Sequence, residues 1–526
     1  MKISRTKNAS KNFIWGIANK LFAILAQFII RIIILHWLGE AYLGLNGLFT
    51  SVLSVLSLTE LGVGSALVFN MYRAIAEDDD VKICALMRYY RKCYYIIGCV
   101  VLVIGCALFP VIPYIANIDL PNDINIYILY AIYLFGTVVT YFLFAYRNSI
   151  VEAYQRNDII SKISLSANVI LYGLQLTILL LFQNYYVYVC VIPAINILIN
   201  VVTAIASKKI FPQYKPVGEL SKEIKIDISK KVKALFSYKV GNIVSNSADN
   251  IVVSSFLGLV ILGKFSNYYY IITTLFALFA IYYNAMTAGI GNSIATESVE
   301  KNLHDFDKLS FIQAWLCGFC ATCLLCLMQD FMTMWMGKDM LFEFGVVVCF
   351  VIYFYFWKIQ DVVYIFKDAG GIWEKDRWRP LISATINLAL NLALVHFIGV
   401  YGILLSTVFC CIAVDLPWGT YVLFKSYFQT SSKSYYLKLV LYTLLNAVVA
   451  ALTFGICYFI PTSAVWGYRI LWFLLKMCIC LIVPNLIYIA LFHRTQIFKE
   501  LQHTLMDIIK RHKKQPDNGA EGDNLL

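Results

Sequence analysis

Charge is what this 526-residue chain has least of: Asp, Glu, Lys and Arg together make up 14% of it. An ordinary soluble domain holds about 25%, so a soluble or disordered chain is excluded. The motifs of nucleotide and acyl chemistry are missing as well. There is no P-loop, no GxGxxG and no GxSxG, and the chain is not expected to hydrolyse a nucleotide. Histidine is scarce, and His36, His304, His396, His493, His503 and His512 make no zinc-ligand spacing. No metal and no cofactor is expected. Fifteen cysteines lie mostly inside apolar runs, where the disulfide framework of a small secreted domain does not apply. Cys317, Cys320, Cys323 and Cys326 have the spacing of a ferredoxin run. On a continuous helix each step of three turns the side chain by about 60°, so these four cannot close around one cluster and are expected to be small apolar side chains.

What is abundant is apolar surface, at 60% of the residues, with a mean hydropathy of +0.72. A membrane-crossing helix uses about 20 such residues. Fourteen runs qualify, at 13–35, 43–69, 94–116, 124–146, 163–182, 186–206, 237–257, 265–290, 311–328, 341–366, 381–397, 401–424, 436–460 and 466–492. The expected fold is an all-α integral membrane protein of about fourteen helices. Lys2, Arg5, Lys7 and Lys11 precede the first run, but that run is too long for a signal peptide, is interrupted by Lys20, Gln27 and Arg31, and has no small-residue cleavage site.

Basic residues between spans stay cytoplasmic. With both termini inside, 35 of the 43 Lys and Arg fall on the cytoplasmic side, whereas the opposite connections hold only Lys264 and Lys338, with Arg469 at the start of the last span. The formal charge of +12 is then a matter of topology and anionic lipid, not of nucleic acid. The longest outer connection, 329–340, leaves no room for an external catalytic domain, and no enzyme activity is expected.

The pattern LGxxxLG occurs twice, from Leu38 to Gly44 and from Leu257 to Gly263, an offset of 219. The same offset carries Lys20 onto Lys239, Gln27 onto Asn246 and Arg31 onto Asn250. Each half therefore begins with the same helix bearing the same polar stripe, and an even number of spans per half makes the repeat parallel. The expected organisation is an N-lobe at 1–206, a basic cytoplasmic linker at 207–236, a C-lobe at 237–424, two further spans at 425–492 and a cytoplasmic tail at 493–526, its end disordered.

At about 100° per residue, Lys20, Gln27 and Arg31 share one narrow face, and Lys239, Asn242, Asn246, Asp249 and Asn250 share another. A charge inside the membrane costs about 2.5–3.5 kcal/mol on insertion scales, so such stripes are expected to face the bundle interior and line a cavity between the lobes. Packing of the stripes as a polar network is the competing reading. Arg31 and Asp249 are expected to pair near the midplane. Glu60, Asp249, Lys358 and Asp361 are candidates for ion coupling or gating, with Lys358 and Asp361 spaced to pair on one helix face. Asp415 and Lys476 are further buried ionisable positions.

The stretches Leu38–Leu67, Lys367–Val395 and Gly399–Phe409 closely resemble the polysaccharide transporter branch of the multidrug, oligosaccharidyl-lipid and polysaccharide exporter superfamily. That resemblance implies two six-helix lobes around a central cavity, with two added C-terminal helices. It also implies a flippase that carries an undecaprenyl-diphosphate-linked oligosaccharide repeat unit to the outer leaflet of the bacterial cytoplasmic membrane, working with membrane lipid and beside a polysaccharide polymerase and glycosyltransferases. A diphosphate needs cations, which Lys20, Arg31 and Lys239 supply. A drug or metabolite antiporter of the same superfamily would sooner line its cavity with acids and aromatics. A polymerase or ligase would present a large outer loop, and a non-transporting scaffold would need no buried charge.

Overall fold

In the computed structural model the chain is helical throughout, and no strand occurs among the described residues, which are 5–57, 63–116, 120–372, 374–461, 465–503 and 506. The helices are α1 (Arg5–Trp37), α2 (Glu40–Leu56), α3 (Val63–Ala76), α4 (Asp80–Leu108), α5 (Ile112–Ile115), α6 (Ile126–Phe142), α7 (Tyr146–Ala153), α8 (Asn157–Leu181), α9 (Tyr185–Ile210) and α10 (Lys222–Leu257). They continue with α11 (Leu259–Thr296), α12 (Val299–Trp335), α13 (Phe344–Ile359), α14 (Asp361–Ala369), α15 (Arg379–Ile398), α16 (Val400–Cys410), α17 (Leu416–Leu423), α18 (Lys433–Tyr458) and α19 (Trp466–Phe492). Single π turns at Cys411–Asp415 and Phe424–Phe428 flank α17. The few polar residues of the connections mark the helix starts. Asp79, Asn125, Asn184 and Ser221 each accept a backbone N–H of the first turn of α4, α6, α9 and α10, satisfying donors that have no partner within the helix.

Among the described residues, eleven helical segments are long and apolar enough to cross a membrane, and a twelfth is added if α6 and α7, bent by 57°, count as one. The protein is a multi-pass membrane protein. The expected fourteen are not reached by this measure, because α2 is short on its own and α10 carries its polar stripe through the middle of its length, which dilutes its hydropathy. The expected linker is also mostly helix, since α9 continues to Ile210 and α10 starts at Lys222. What remains between them is tied down. Arg88 Nη1 donates to the Gly218 carbonyl at 3.0 Å, Arg147 Nη1 to the Tyr214 carbonyl at 3.2 Å and the Tyr214 hydroxyl to Asp80 at 2.9 Å.

The chain forms two compact units: Met1–Leu278 with Met332–Phe350 and Trp373–Trp418, and Phe279–Phe331 with Val351–Ile372 and Gly419–Leu526. In the first, α1 lies along α8, and α10 lies along α15 and α2. The offset of 219 turns one arrangement into the other: it carries α1 onto α10 and α8 onto α15. It also relates the two helix junctions. Gly39, before α2, has φ 111° and ψ 178°, and Gly258, before α11, has φ 93° and ψ 169°, a region open essentially to glycine alone. Five residues on, α2 and α11 cross backbone to backbone. A Cβ on Gly44 would strike the Leu259 carbonyl, and one on Gly263 would stand 2.6 Å from the Glu40 carbonyl. Position 40 is the repeat mate of 259, and 44 of 263, so the crossing is reciprocal.

The second unit has an aromatic centre. Phe306 of α12 meets Phe366, Phe424, Phe428 and Tyr435 with ring centroids 5.2–5.6 Å apart. α18 and α19 pack on one another, and Asn446 of α18 bridges to α12 by donating to the Ala314 carbonyl at 2.9 Å.

Candidate functional site

Arg31 is six residues from the end of α1, about 9 Å at 1.5 Å per residue, so it lies in the last third of that helix rather than at its middle. It is half-buried. Its Nη1 donates to Asn267 Oδ1 at 2.6 Å and to Ser266 Oγ at 3.2 Å on α11, and its Cζ lies 4.8 Å from the centroid of the Tyr270 ring, in range for a cation–π contact. Two N–H groups of this cluster, Arg31 Nε and Asn267 Nδ2, are shut off from the surface with no acceptor.

The repeat mate of Arg31 is Asn250, and the mate of Tyr270 is Ser51. Asn250 Nδ2 donates to Ser51 Oγ at 2.8 Å. In each half, then, the polar residue of the first helix reaches over to the second helix of the other half, to equivalent positions.

The expected ion pair between Arg31 and Asp249 is not formed. Asp249 is buried and accepts from Asn391 Nδ2 at 2.7 Å on α15 and from Thr407 Oγ1 at 3.4 Å on α16. Asn387 joins the cluster, accepting from Asn391 at 3.3 Å and donating to Thr407 at 2.9 Å. Adjacent positions on a helix point about 100° apart, which is why Asn250 addresses α2 while Asp249 addresses α15 and α16. Arg31 and Asp249 therefore address different helices.

Of the remaining candidates, Gln27 donates to the Tyr172 hydroxyl of α8 at 3.3 Å, and Lys20 is exposed. Lys239, Asn242 and Asn246 lie on α10, but their side chains, and the whole of Glu60, lie outside the described residues. In the second unit Lys358 and Asp361 do pair, with Nζ and Oδ2 2.9 Å apart and side chains 10% and 12% exposed. Lys476 pairs with Asp330 at 2.6 Å. Asp415, on the π turn of the first unit, is held by Arg379 and by Ser383 Oγ at 2.8 Å, and Asp376 binds the same guanidinium at 3.0 Å.

Sequence reasoning did not single out Ser266, Asn267, Tyr270, Asn387, Asn391 or Thr407. Asn387 was within reach of the repeat, because the offset carries Asn168 of α8 onto it with the residue type kept. Tyr270 is the mate of Ser51 and Asn391 the mate of Tyr172, where the residue type changes.

The fold matches solved transporters. One is a lipid II flippase MurJ in an inward closed conformation, 14% identical with a TM-score of 0.65, the match covering 91% of this chain and 99% of that one. Another is a multidrug resistance MATE family transporter of the MOP superfamily in an inward-facing conformation, 15% identical with a TM-score of 0.58, covering 76% and 93%. At these identities the likeness is one of fold, and it defines the class: a multi-pass membrane protein with the architecture of MOP superfamily transporters. Residues 9–287 match the family described as polysaccharide biosynthesis protein. The chain belongs to that family. No curated protein matches it.

Proposed function

We propose that the protein is a flippase for undecaprenyl-diphosphate-linked oligosaccharide repeat units, acting in the bacterial cytoplasmic membrane with both termini inside, and that it supplies a polymerase with substrate made by glycosyltransferases. The observation that carries this reading is the pair of unsatisfied donors at Arg31, its own Nε and the neighbouring Asn267 Nδ2. An enclosed N–H without an acceptor costs about 1–3 kcal/mol, and these two donors form a seat that an anionic oxygen would complete. The planar guanidinium fits phosphate in a bidentate way that an ammonium does not. The prenyl chain stays in lipid throughout.

In this reading the lobes 1–206 and 237–424 alternate in access, with 425–492 peripheral, and the substrate diphosphate displaces Asn267 and Ser266 from Arg31 as it enters. Asp249 couples the cycle to an ion. Its carboxylate, with the oxygens of Asn387, Asn391 and Thr407, offers a monovalent cation or a proton a place inside the first unit. The protein does no bond chemistry of its own.

The test is translocation of a labelled polyprenyl-diphosphate glycan by the purified protein in liposomes. Arg31→Lys should slow it and Arg31→Ala should nearly abolish it, with membrane abundance unchanged. Full transport by Arg31→Ala would sink the reading. Transport of organic cations in place of the glycan would favour a drug antiporter.

A further inference from the structure

The cysteine run on α12 does not close on itself, but it does not stand alone. Cys326 of α12, Cys457 of α18 and Cys480 of α19 are buried together, and their three sulfurs all lie within 4.8 Å of one another. Cys323, one turn before Cys326, packs against the group and is hydrogen-bonded to Cys480. The walls are Leu327, Phe454 and Ile479. All of this lies in the second unit.

We propose that Cys326, Cys457 and Cys480 form a binding site for one thiophilic d10 cation, with Cu(I) as the class and Ag(I) as its surrogate. Three sulfurs each about 2.3 Å from a shared ion stand about 4.0 Å apart in a plane, so the three thiols need to move by less than 1 Å to coordinate one. Three donors and no oxygen or nitrogen are what a soft monovalent ion accepts. Zn(II) in a structural site asks for four ligands, and Cys323 does not belong to the mutually close set of three. Lys476 is one turn from Cys480 on α19, Asp330 is one turn from Cys326 on α12, and the two pair at 2.6 Å, so a polar ion pair borders the sulfur site. Each thiol that becomes a ligand releases its proton to water, and no electron is transferred. The occupied site ties α18 and α19 to α12.

The experiment uses the full chain in detergent, anaerobically, with the exposed thiols removed as Cys99→Ala, Cys106→Ala, Cys190→Ala and Cys478→Ala so that they do not add background. Cu(I) is titrated against a chromogenic Cu(I) chelator, and released protons are counted at fixed pH. We expect one ion retained per chain with proton release. Both should fall to background in Cys457→Ala/Cys480→Ala, while Cys317→Ala, at a buried thiol outside the group, should bind like the parent. Monodisperse elution and unchanged helical circular dichroism establish that each variant is folded. Equal Cu(I) retention by the double variant, no retention by the parent, or displacement of bound Cu(I) by equimolar Zn(II) would each overturn the proposal.

Discussion

Single residues decide where the charge of this protein goes, and almost every buried charge has a named partner in a neighbouring turn or helix. Arg31 is different in kind: it keeps a cation–π face and two neutral acceptors, and leaves donors over. Sequence spacing was enough to find it, because a guanidinium within an apolar run is costly wherever it points. Spacing could not give its partners, which come from a helix some 235 residues away in the chain. The Lys358–Asp361 pair was legible down to its geometry, since residues three apart on one helix face meet without help from the fold. Its role can be measured. With both side chains about nine-tenths buried, Lys358→Met leaves Asp361 uncompensated and should cost about 3–5 kcal/mol of stability, whereas Lys358→Met/Asp361→Leu should recover most of it in thermal unfolding. Glycan transport by the folded double variant at the parental rate would mark the pair as structural, and its loss would mark it as a gate.

Elements were legible where hydropathy alone makes them and illegible where packing does. The offset of 219 predicted the two helix junctions, and the junction glycines indeed share one backbone conformation. It could not predict that the glycines five residues later are the crossing point of α2 and α11, because close approach leaves no mark on composition. Gly44→Ala and Gly263→Ala should each destabilise the protein by about 1–3 kcal/mol, as overpacking does. Gly173→Ala on α8, where nothing lies within 4 Å, should be neutral or slightly stabilising, and fluorescence-detected thermal unfolding compares the three. The helical segment after α19 is held differently. Lys308 and His304 hold the Glu500 carboxyl well below its ordinary value of 4.5, at about 2. Because the folded pKa is depressed, the contact contributes fully above the ordinary value and is lost as pH falls from about 4.5 toward 2. A spin label at residue 506 should stay immobile from pH 5 to 8, loosen below pH 4, and be loose at pH 7 in Glu500→Gln.

At the scale of the whole molecule the basic residues predict an orientation, and the crossing of α2 and α11 repeats the offset of 219 in space. The bias of connecting Lys and Arg to one side expects a reporter fused after Lys514 to be active only as a cytoplasmic reporter, and an active exported reporter there would reverse the topology. The number of spans was less legible, since a helix that carries several polar groups looks least like a span. The crossing says more. Residue 44 meets 259 while 40 meets 263, and 31 meets 270 while 250 meets 51. That is the isologous contact two copies of one polypeptide make around a two-fold axis, here fused into one chain. The pair 31 and 250 marks where the halves differ: one holds a guanidinium and the other a carboxamide at the same address. An exact repeat would carry the same side chain at both addresses, whereas here one of the two is a cation and the other is neutral.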